Sequence, residues 1–221
     1  MRNLFTTTTL VVSVLLLLVT APARAGKISG IVKTQGLRSA SNVLVYLANA
    51  PAAAADLTGA KFVMDQRNLT FIPHVLPVYA GATVHFPNND SLSHNVFSLS
   101  RTQNFNLGSY KPGDARTVRF DRPGIVEVRC DVHAEMLAYI MVMKNPYWAV
   151  TDERGRFEIP DAKFLEQNGI KGISDLPAGS YVIKTWHEKA KAAKETVVVP
   201  KAGTLDVTIN IRRGTAGVLY K

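Results

Sequence analysis

One short stretch of this 221-residue chain holds three side chains that bind soft metal ions. Cys130, the only cysteine, is followed by His133 three residues later and by Met136 three residues after that. A single cysteine cannot close an internal disulfide. It is therefore either an inert buried residue, which packs like a small hydrophobe, or a metal-bound thiolate. The imidazole and the thioether beside it favour the metal-bound thiolate.

A fourth candidate ligand, His94, lies upstream in the segment "FPNNDSLSHNVFS". In "GIVEVRC" the charged Glu127 and Arg129 must face water, so the alternation places Cys130 on the inward face of its strand. Two histidines, one thiolate and a weak axial methionine make up the donor set of a blue-copper site. Zinc is the competing metal, but it seldom binds methionine, and its structural sites usually contain more cysteine.

The elements that position these residues are predicted to be short strands. Runs of β-branched and aromatic residues, broken by turn residues, indicate an all-β chain of sandwiches or Greek-key barrels. One short helix is predicted over residues 162–168, capped by Asp161. The predicted strands are Ile28–Lys33, Val43–Leu47, Lys61–Asp65, Val75–Tyr79, Thr83–Phe86, Val96–Leu99, Thr117–Phe120, Ile125–Cys130, Tyr139–Met143, Phe157–Ile159, Tyr181–Trp186, Thr196–Val199 and Leu205–Ile211.

The first 25 residues have the layout of a secretory signal peptide. Arg2 precedes the apolar run Leu10–Val19, and the small-residue pattern at 23–25 offers a cleavage site. The run is shorter than the roughly 20 residues that a membrane span needs, although an uncleaved anchor is the alternative. We expect a mature protein that is exported to the periplasm and keeps no transmembrane span.

The chain is basic, which bears on its partners. Its formal charge is +9, and removal of residues 1–25 lowers this to +7, because Arg2 and Arg24 are the only charged residues there. A basic balance suits an acidic protein partner, and the lysines at 184, 189, 191 and 194 form a loose cluster that could steer one. A solvated face is the alternative for that cluster. No long basic run or recognised motif predicts nucleic-acid binding.

The two ligand segments resemble the copper loops of the cupredoxins. "NNDSLSHNV" is followed downstream by "CDVHAEM", whose Cys-x-x-His-x-x-Met spacing is similar to the amicyanin type, and "FIPHVLPVYAGATVHFPNND" resembles the opening strands of plastocyanin-like proteins. The resemblance covers about residues 61–143. It implies an electron-transfer protein with one copper ion that cycles between Cu(I) and Cu(II), bound by His94, Cys130, His133 and Met136.

The resemblance also implies a supporting role for Asn95, behind the ligands, as the residue that ties the two ligand loops together. One feature departs from the family pattern. Related loops commonly have a proline and an aromatic residue after the second histidine, where this chain has Ala134 and Glu135. The departure affects the apolar docking surface expected around His133 and removes no ligand.

A second resemblance concerns the flanking sequence. "YWAVTDERGRFEI" and "LPAGSYVIKTWHE" resemble the carboxypeptidase regulatory-like domain, a small transthyretin-like sandwich, whose first two strands match residues 26–47 far upstream. We therefore expect a cupredoxin sandwich inserted into a second sandwich. The predicted segments are a signal peptide at 1–25, the first strands of the outer domain at 26–50, the cupredoxin domain at 57–145 and the rest of the outer domain at 146–212. A plain tandem is the alternative.

The function predicted from these features is that of an exported electron carrier with a redox protein partner. No acid–base pair or Ser–His–Asp set is identifiable, so we do not expect an enzyme. Two other functions remain open at this point: a periplasmic copper-binding or delivery module without redox turnover, and an adhesion or carbohydrate-binding role of the outer sandwich. The spacing of His74, His85 and His187 does not indicate a second metal site.

Overall fold

The structure is a computed structural model that describes residues 26–52, 55–173, 176–216 and 219. The predicted signal peptide, residues 1–25, lies outside the described residues. The prediction of an all-β chain is confirmed, since the described part of the chain contains seventeen strands and one six-residue helix. None of the described helical segments is long and apolar enough to cross a membrane.

The strands and the helix follow one another closely along the chain. The strands are β1 (Gly26–Gln35), β2 (Leu44–Leu47), β3 (Phe62–Val63), β4 (Asp65–Arg67), β5 (Thr70–Ile72), β6 (Val75–Tyr79), β7 (Ala82–Pro87), β8 (His94–Leu99), β9 (Asn104–Tyr110), β10 (Ala115–Phe120), β11 (Gly124–Arg129), β12 (Leu137–Met143), β13 (Trp148–Val150), β14 (Arg156–Ile159), β15 (Gly179–Trp186), β16 (Lys194–Val199) and β17 (Gly203–Arg212). Helix α1 spans Ala162–Gln167, and Asp161 caps it by accepting the N–H of Phe164 at 2.9 Å, as predicted.

The first two and the last five of the described strands build one sandwich, which we name the terminal sandwich. Its sheets have the strand orders β14-β1-β17 and β13-β2-β15-β16. Strand β1 runs antiparallel to β14 and parallel to β17, while β2 is antiparallel to both β13 and β15. The predicted pairing of the upstream strands with strands after Tyr147 is therefore present. One apolar cluster fills the space between the two sheets, where side chains such as Ile28, Val45, Ile159 and Ile209 are buried.

The strands β3 to β12 form the central sandwich. Five strands in the order β6-β12-β11-β8-β9 face three in the order β10-β7-β3, and β4 pairs with β5 in a small hairpin. Aromatic and β-branched residues suit the pleated inner surfaces of such sheets. Phe86, Val96, Phe120 and Val128 are all buried in the cluster between them. This rigid core holds the strand ends from which the candidate ligands project.

The two sandwiches share one apolar face. Alternate residues of β2 belong to different cores: Val45 lies in the terminal cluster, whereas Leu44 and Tyr46 lie in the central one, together with Trp148 and Trp186. A strand that is buried on both faces has no polar side and reads as a continuous apolar run, which is what "LVYL" shows. The second sheet of the terminal sandwich therefore packs directly on the central sandwich.

Candidate metal centre

The two predicted ligand segments meet at one end of the central sandwich. The first is the connection between β7 and β8, residues 88–93, after which His94 begins β8. The second, residues 130–136, joins β11 to β12, whose antiparallel pairing places Arg129 opposite Leu137. Strand β8 also pairs with β11 near this end. Both connections therefore meet the five-stranded sheet at the same end, the first on its way from β7 of the three-stranded sheet.

Three of the four predicted ligands converge. One ligand atom each from His94, Cys130 and His133 lies within 4.8 Å of the others, and the two histidine Nδ1 atoms are 3.1 Å apart. Two imidazole nitrogens bound to one ion at about 2.0–2.1 Å would be roughly 3.1–3.6 Å apart for bond angles of about 100–120°. The spacing and the nitrogen and sulfur donors fit one shared copper ion.

Met136, the fourth predicted ligand, is held in the same loop by backbone hydrogen bonds. The N–H of Cys130 donates to the Met136 carbonyl at 3.3 Å, and the N–H of Met136 donates to the His133 carbonyl at 3.0 Å. These bonds close the loop on itself. The Met136 side chain is 1% exposed and belongs to the same apolar cluster as Cys130. The chain thus buries a thioether beside the thiol.

The centre is closed to solvent except at one ring. His94 is 0% exposed and Cys130 is 4% exposed, whereas His133 is only partly buried. A soft, largely dry pocket of this kind favours a thiolate–metal bond over oxidation of the thiol in an oxidising compartment. The exposed edge of His133 is the shortest connection between the donor set and water.

A carboxylate fixes the orientation of His94. The His94 Nε2 atom lies 3.0 Å from Asp90 Oδ2. The pKa of the Asp90 carboxyl is lowered to about 2, first by the N–H of Leu69 and also by the N–H of Ser91 and the His94 ring, which outweigh its burial. The ionised carboxylate accepts the Nε2 proton, so the Nδ1 lone pair of His94 is left facing Cys130 and His133.

The first ligand loop is built around buried Asn88. Its Nδ2 donates to the carbonyls of Leu92 at 2.9 Å and Tyr110 at 3.1 Å, and its Oδ1 accepts the N–H of Asp90 at 3.0 Å. The N–H of Leu69 in turn donates to Asp90 at 2.7 Å. The sequence analysis missed both Asn88 and Asp90. The available signal was the four-residue spacing of Asp90 and His94, together with the tendency of Asn and Asp to bond nearby backbone in loops.

Asn95 was predicted to tie the two ligand loops together, and this role stays a prediction. The Asn95 Nδ2 donates to Asn106 Oδ1 at 2.8 Å, while its buried Oδ1 has no partner within the described parts of the chain. Asn106 lies in β9, so this amide hydrogen bond does not itself join the two ligand loops. The physical reason for this hydrogen bond is the irregular pairing of β8 with β9: a register shift between Asn95 and Phe97 brings Asn106 within reach of the amide.

The two ligand loops also carry exposed apolar and acidic side chains. Leu92 is 47% exposed and Val132 is 58% exposed, one in each ligand loop. Asp131 and Glu135 are also exposed beside them. The rim therefore retains apolar surface despite the missing proline and aromatic residue, and it carries two negative charges within a basic protein.

The remaining histidines lie elsewhere. His85 is exposed on β7. His74 and His187 line one cavity, but His94, Cys130 and His133 are the one three-residue group with metal-binding spacing in the described ranges. The structure therefore brings His74 and His187 into one neighbourhood without adding a third ligand.

The chain is similar to proteins named as plastocyanin, cupredoxin and amicyanin. Chloroplastic plastocyanin of Physcomitrium patens is 32% identical over 121 residues, which are 50% of this chain and 69% of the plastocyanin. A purple cupredoxin from Nitrosopumilus maritimus has 24% identity and a TM-score of 0.34, with 38% of this chain and 99% of that chain covered. A reduced Cu(I) amicyanin variant has 21% identity and a TM-score of 0.36, with 46% and 99% covered. No protein-family model matches the chain.

Proposed function

The chain belongs to the plastocyanin family of copper electron-transfer proteins, and we propose that it is an exported single-electron carrier whose one copper ion is held by His94, Cys130, His133 and Met136. The observation that carries the proposal is the convergence of two imidazole nitrogens and one thiol within 4.8 Å at the end of a rigid sheet. Export is supported by the signal-peptide layout of residues 1–25. We propose a carrier rather than an enzyme.

Each ligand has a distinct role in this proposal. Copper, when bound, supplies a centre that gains and loses one electron between Cu(II) and Cu(I). Cys130 provides the strong thiolate bond, and the buried His94, locked by Asp90, cannot turn away when the charge of the centre changes. A donor set that the fold holds in place needs little reorganisation, which favours fast electron transfer. Met136 would provide a weak thioether donor that tunes the reduction potential of the bound copper.

His133 is the proposed point of electron entry and exit. It is the ligand with a partly exposed ring, and each of the two ligand loops carries an exposed apolar side chain, Leu92 or Val132. A partner that covers these two side chains would exclude water and approach the imidazole edge closely. Exposed apolar patches of this kind commonly mark interaction sites.

The test of this function is electrochemistry of the copper-loaded protein. We expect a reversible one-electron wave together with an intense visible band in the oxidised state. A colourless protein that exchanges Cu(I) readily with a chelator, without a reversible wave, would instead support copper buffering or delivery and would overturn the electron-carrier proposal.

The Met136→Leu variant tests whether Met136 tunes the reduction potential of the copper centre. We expect the visible band to remain and the reduction potential to rise by on the order of 50–100 mV, because loss of a weak donor destabilises Cu(II) more than Cu(I); about 59 mV corresponds to a tenfold change in relative affinity. Voltammetry of both proteins measures the shift. Met141→Leu is the matched control, since Met141 is equally buried but lies within β12. Equal potentials for wild type and Met136→Leu would remove Met136 from the ligand set.

We propose that the redox partner is acidic and is guided by cations of the terminal sandwich. Lys189, Lys191 and Lys194 are exposed, and after loss of residues 1–25 the net charge would be +7, as set out above. The acidic rim at Asp131 and Glu135 opposes this attraction locally. The overall field should still dominate at low salt, because the Debye length exceeds roughly 20 Å at an ionic strength of about 0.02 M.

Small redox probes measure directly whether the overall positive charge or the acidic rim controls the approach of a partner. With hexacyanoferrate(III), an anion, we expect the oxidation rate to fall severalfold from about 0.02 to 0.5 M ionic strength. The cationic tris(phenanthroline)cobalt(III) should show the opposite trend. Lys189→Gln should slow the anionic probe, and Glu135→Gln should accelerate it. Rates for both probes that do not depend on salt would contradict the proposal of electrostatic steering.

We propose that the terminal sandwich is a regulatory-like domain into which the copper domain is inserted. Strands β1 and β2 are inner strands of its two sheets, so residues 146–221 alone lack the centre of each sheet. The two ends of the insertion lie side by side: the N–H of Leu47 donates to the Tyr147 carbonyl at 3.0 Å, and Asn145 Nδ2 donates to the Leu47 carbonyl at 2.9 Å. Adjacent ends are the usual condition for domain insertion.

Two deletion variants test this arrangement. We expect residues 146–221 alone to remain unfolded, and residues 26–50 joined to 146–221 by a short Gly/Ser linker to unfold cooperatively, because the linker restores both inner strands. Circular dichroism during thermal melting distinguishes them. A fragment 146–221 that folds by itself would support the tandem arrangement instead.

A further inference from the structure

A basic cavity lies in the terminal sandwich, beside the central sandwich. It has a volume of about 480 Å³, within the range of about 300–1,000 Å³ that is usual for small-molecule sites. Three segments line it: the loop 36–42 between β1 and β2, residues 187–189 after β15, and Arg213 after β17. His74 of the central sandwich contributes one wall. Its Nδ1 donates to the Leu137 carbonyl at 3.1 Å. The cavity is thus separate from the metal centre.

Backbone hydrogen bonds hold the cavity walls together. The N–H of Arg213 donates to the Gln35 carbonyl at 2.9 Å, and the N–H of Gly214 donates to the Lys189 carbonyl at 3.0 Å. The segment that carries Arg213 therefore joins the end of β1 to the segment after β15. Because these bonds are between main-chain atoms, replacement of an arginine side chain should leave the walls intact.

Two arginines of the cavity have no counter-ion. Arg38 and Arg213 form no side-chain hydrogen bond or ion pair with any residue that the structure describes. The acidic residue of the lining, Glu188, already has a counter-ion, because its Oε1 lies 2.9 Å from Lys189 Nζ; its Oε2 lies 3.3 Å from His74 Nε2. Its side chain is only 13% exposed. The positive charge of both guanidinium groups is thus left for a ligand.

Uncharged donors complete the lining. His187 Nδ1 accepts the N–H of Lys189 at 3.0 Å, so the neutral ring carries its proton on Nε2, where it can donate. The Ser39 hydroxyl accepts the N–H of Ser41 and donates to the Ser41 hydroxyl oxygen, both at 3.0 Å, which leaves the Ser41 hydroxyl proton available. Hydroxyl and imidazole donors next to two guanidinium groups make a surface that accepts oxygen-rich anions.

We propose that this cavity binds a small multivalent oxyanion, of the phosphate or polycarboxylate class, through Arg38 and Arg213. The planar guanidinium group presents two parallel N–H donors that match the oxygens of either anion. The cavity can hold a free anion or the anionic group of a small metabolite, and both present the same oxygens. The site goes beyond electron transfer, because neither arginine belongs to the metal centre.

Isothermal titration calorimetry of the full-length protein tests the proposal. Inorganic phosphate and citrate are titrated separately at pH 7 and a constant ionic strength of about 0.15 M. We expect saturable binding of one anion per chain, and at least about tenfold weaker binding in Arg38→Gln and in Arg213→Gln, since each removes one charge-assisted contact. Phosphate without citrate binding, or the reverse, identifies the ligand class. The visible band of the copper-loaded variants should be unchanged, which separates this result from the electron-carrier proposal.

Arg122→Gln is the matched control, because Arg122 is an exposed cation of the central sandwich outside the cavity lining. It should leave anion binding as in the wild type, and circular dichroism should show that all three variants are folded. Absence of saturable binding by both anions, or equal weakening in all three variants, would overturn the proposal. So would binding of an acidic peptide such as hexaglutamate without binding of small anions, which would assign the cavity to a protein partner.

Discussion

Copper-loaded Cys130→Ser protein is expected to lose the intense visible band while the apoprotein keeps its fold. The band arises from charge transfer between a thiolate and Cu(II), and Cys130 is the only thiol of the chain. Serine is nearly isosteric with cysteine. Its hydroxyl would lie near the imidazole nitrogens of His94 and His133, which can accept a hydrogen bond from it. The unfolding free energy of the apoprotein should therefore change by only about 1 kcal/mol.

Absorption spectroscopy after titration with Cu(II) measures the colour, and thermal melting of the metal-free proteins measures the fold. His85→Gln is a useful control, because His85 is exposed on β7 and lies outside the ligand group. It should retain the full band. A Cys130→Ser protein with the same charge-transfer band would remove the thiolate from the proposed centre.

The Asp90→Asn variant is expected to bind Cu(II) about 10–100-fold more weakly and to have a higher reduction potential. The carboxylate accepts the Nε2 proton of His94 at 3.0 Å and makes this imidazole a better donor through Nδ1. An amide of the same shape accepts this proton more weakly, since charge-assisted hydrogen bonds are roughly twice as strong as neutral ones. The Asp90→Asn substitution also removes a negative charge that stabilises Cu(II) relative to Cu(I).

Asp131→Asn separates these two causes. Asp131 is an exposed carboxylate in the second ligand loop, so its replacement removes a similar charge without touching His94. We expect Asp131→Asn to shift the potential much less than Asp90→Asn in the same voltammetry experiment. Equal shifts would mean that Asp90 acts only through its charge and has no role in orienting His94.

The part of the centre that could be predicted from the sequence is the part encoded locally. Cys130, His133 and Met136 share one seven-residue loop, so their spacing alone brings them together. The pair Asp90 and Asn88 could not be predicted in the same way. Their roles depend on Leu69 and Tyr110, which are near them only after the chain has folded. The hydrogen bond of the Asn95 amide with Asn106 depends on the irregular β8–β9 pairing, which the sequence does not reveal.

Prediction of the strands from local sequence was limited in the same way. The sequence pattern predicts Val75–Tyr79 to the residue, since its apolar run is short and is followed by the turn residues of "AGAT". It does not predict β9, because Asn104, Asn106 and Gly108 are residues typical of turns. In the structure Phe105 and Leu107 pack against the central core and hold this strand in place. Tertiary contacts here outweigh local propensity.

The shared apolar face was also beyond local pattern analysis. The run "LVYL" of β2 predicts a buried strand, but it cannot show that Leu44 and Tyr46 pack on a different core from Val45. That arrangement follows from the order of strands in the sheet and from the stacking of one sandwich on the other. Alternation along a strand specifies two faces and leaves their partners open.

The most direct test of the proposed function is the optical spectrum of the full-length protein after addition of one equivalent of Cu(II). We expect an intense visible thiolate charge-transfer band that saturates at one copper ion per chain, disappears on reduction with ascorbate and returns on reoxidation. This result would place Cys130 and copper in one redox-active centre. A protein that binds copper without this band, or whose band does not return after a reduction and reoxidation cycle, would contradict the proposal of an electron carrier.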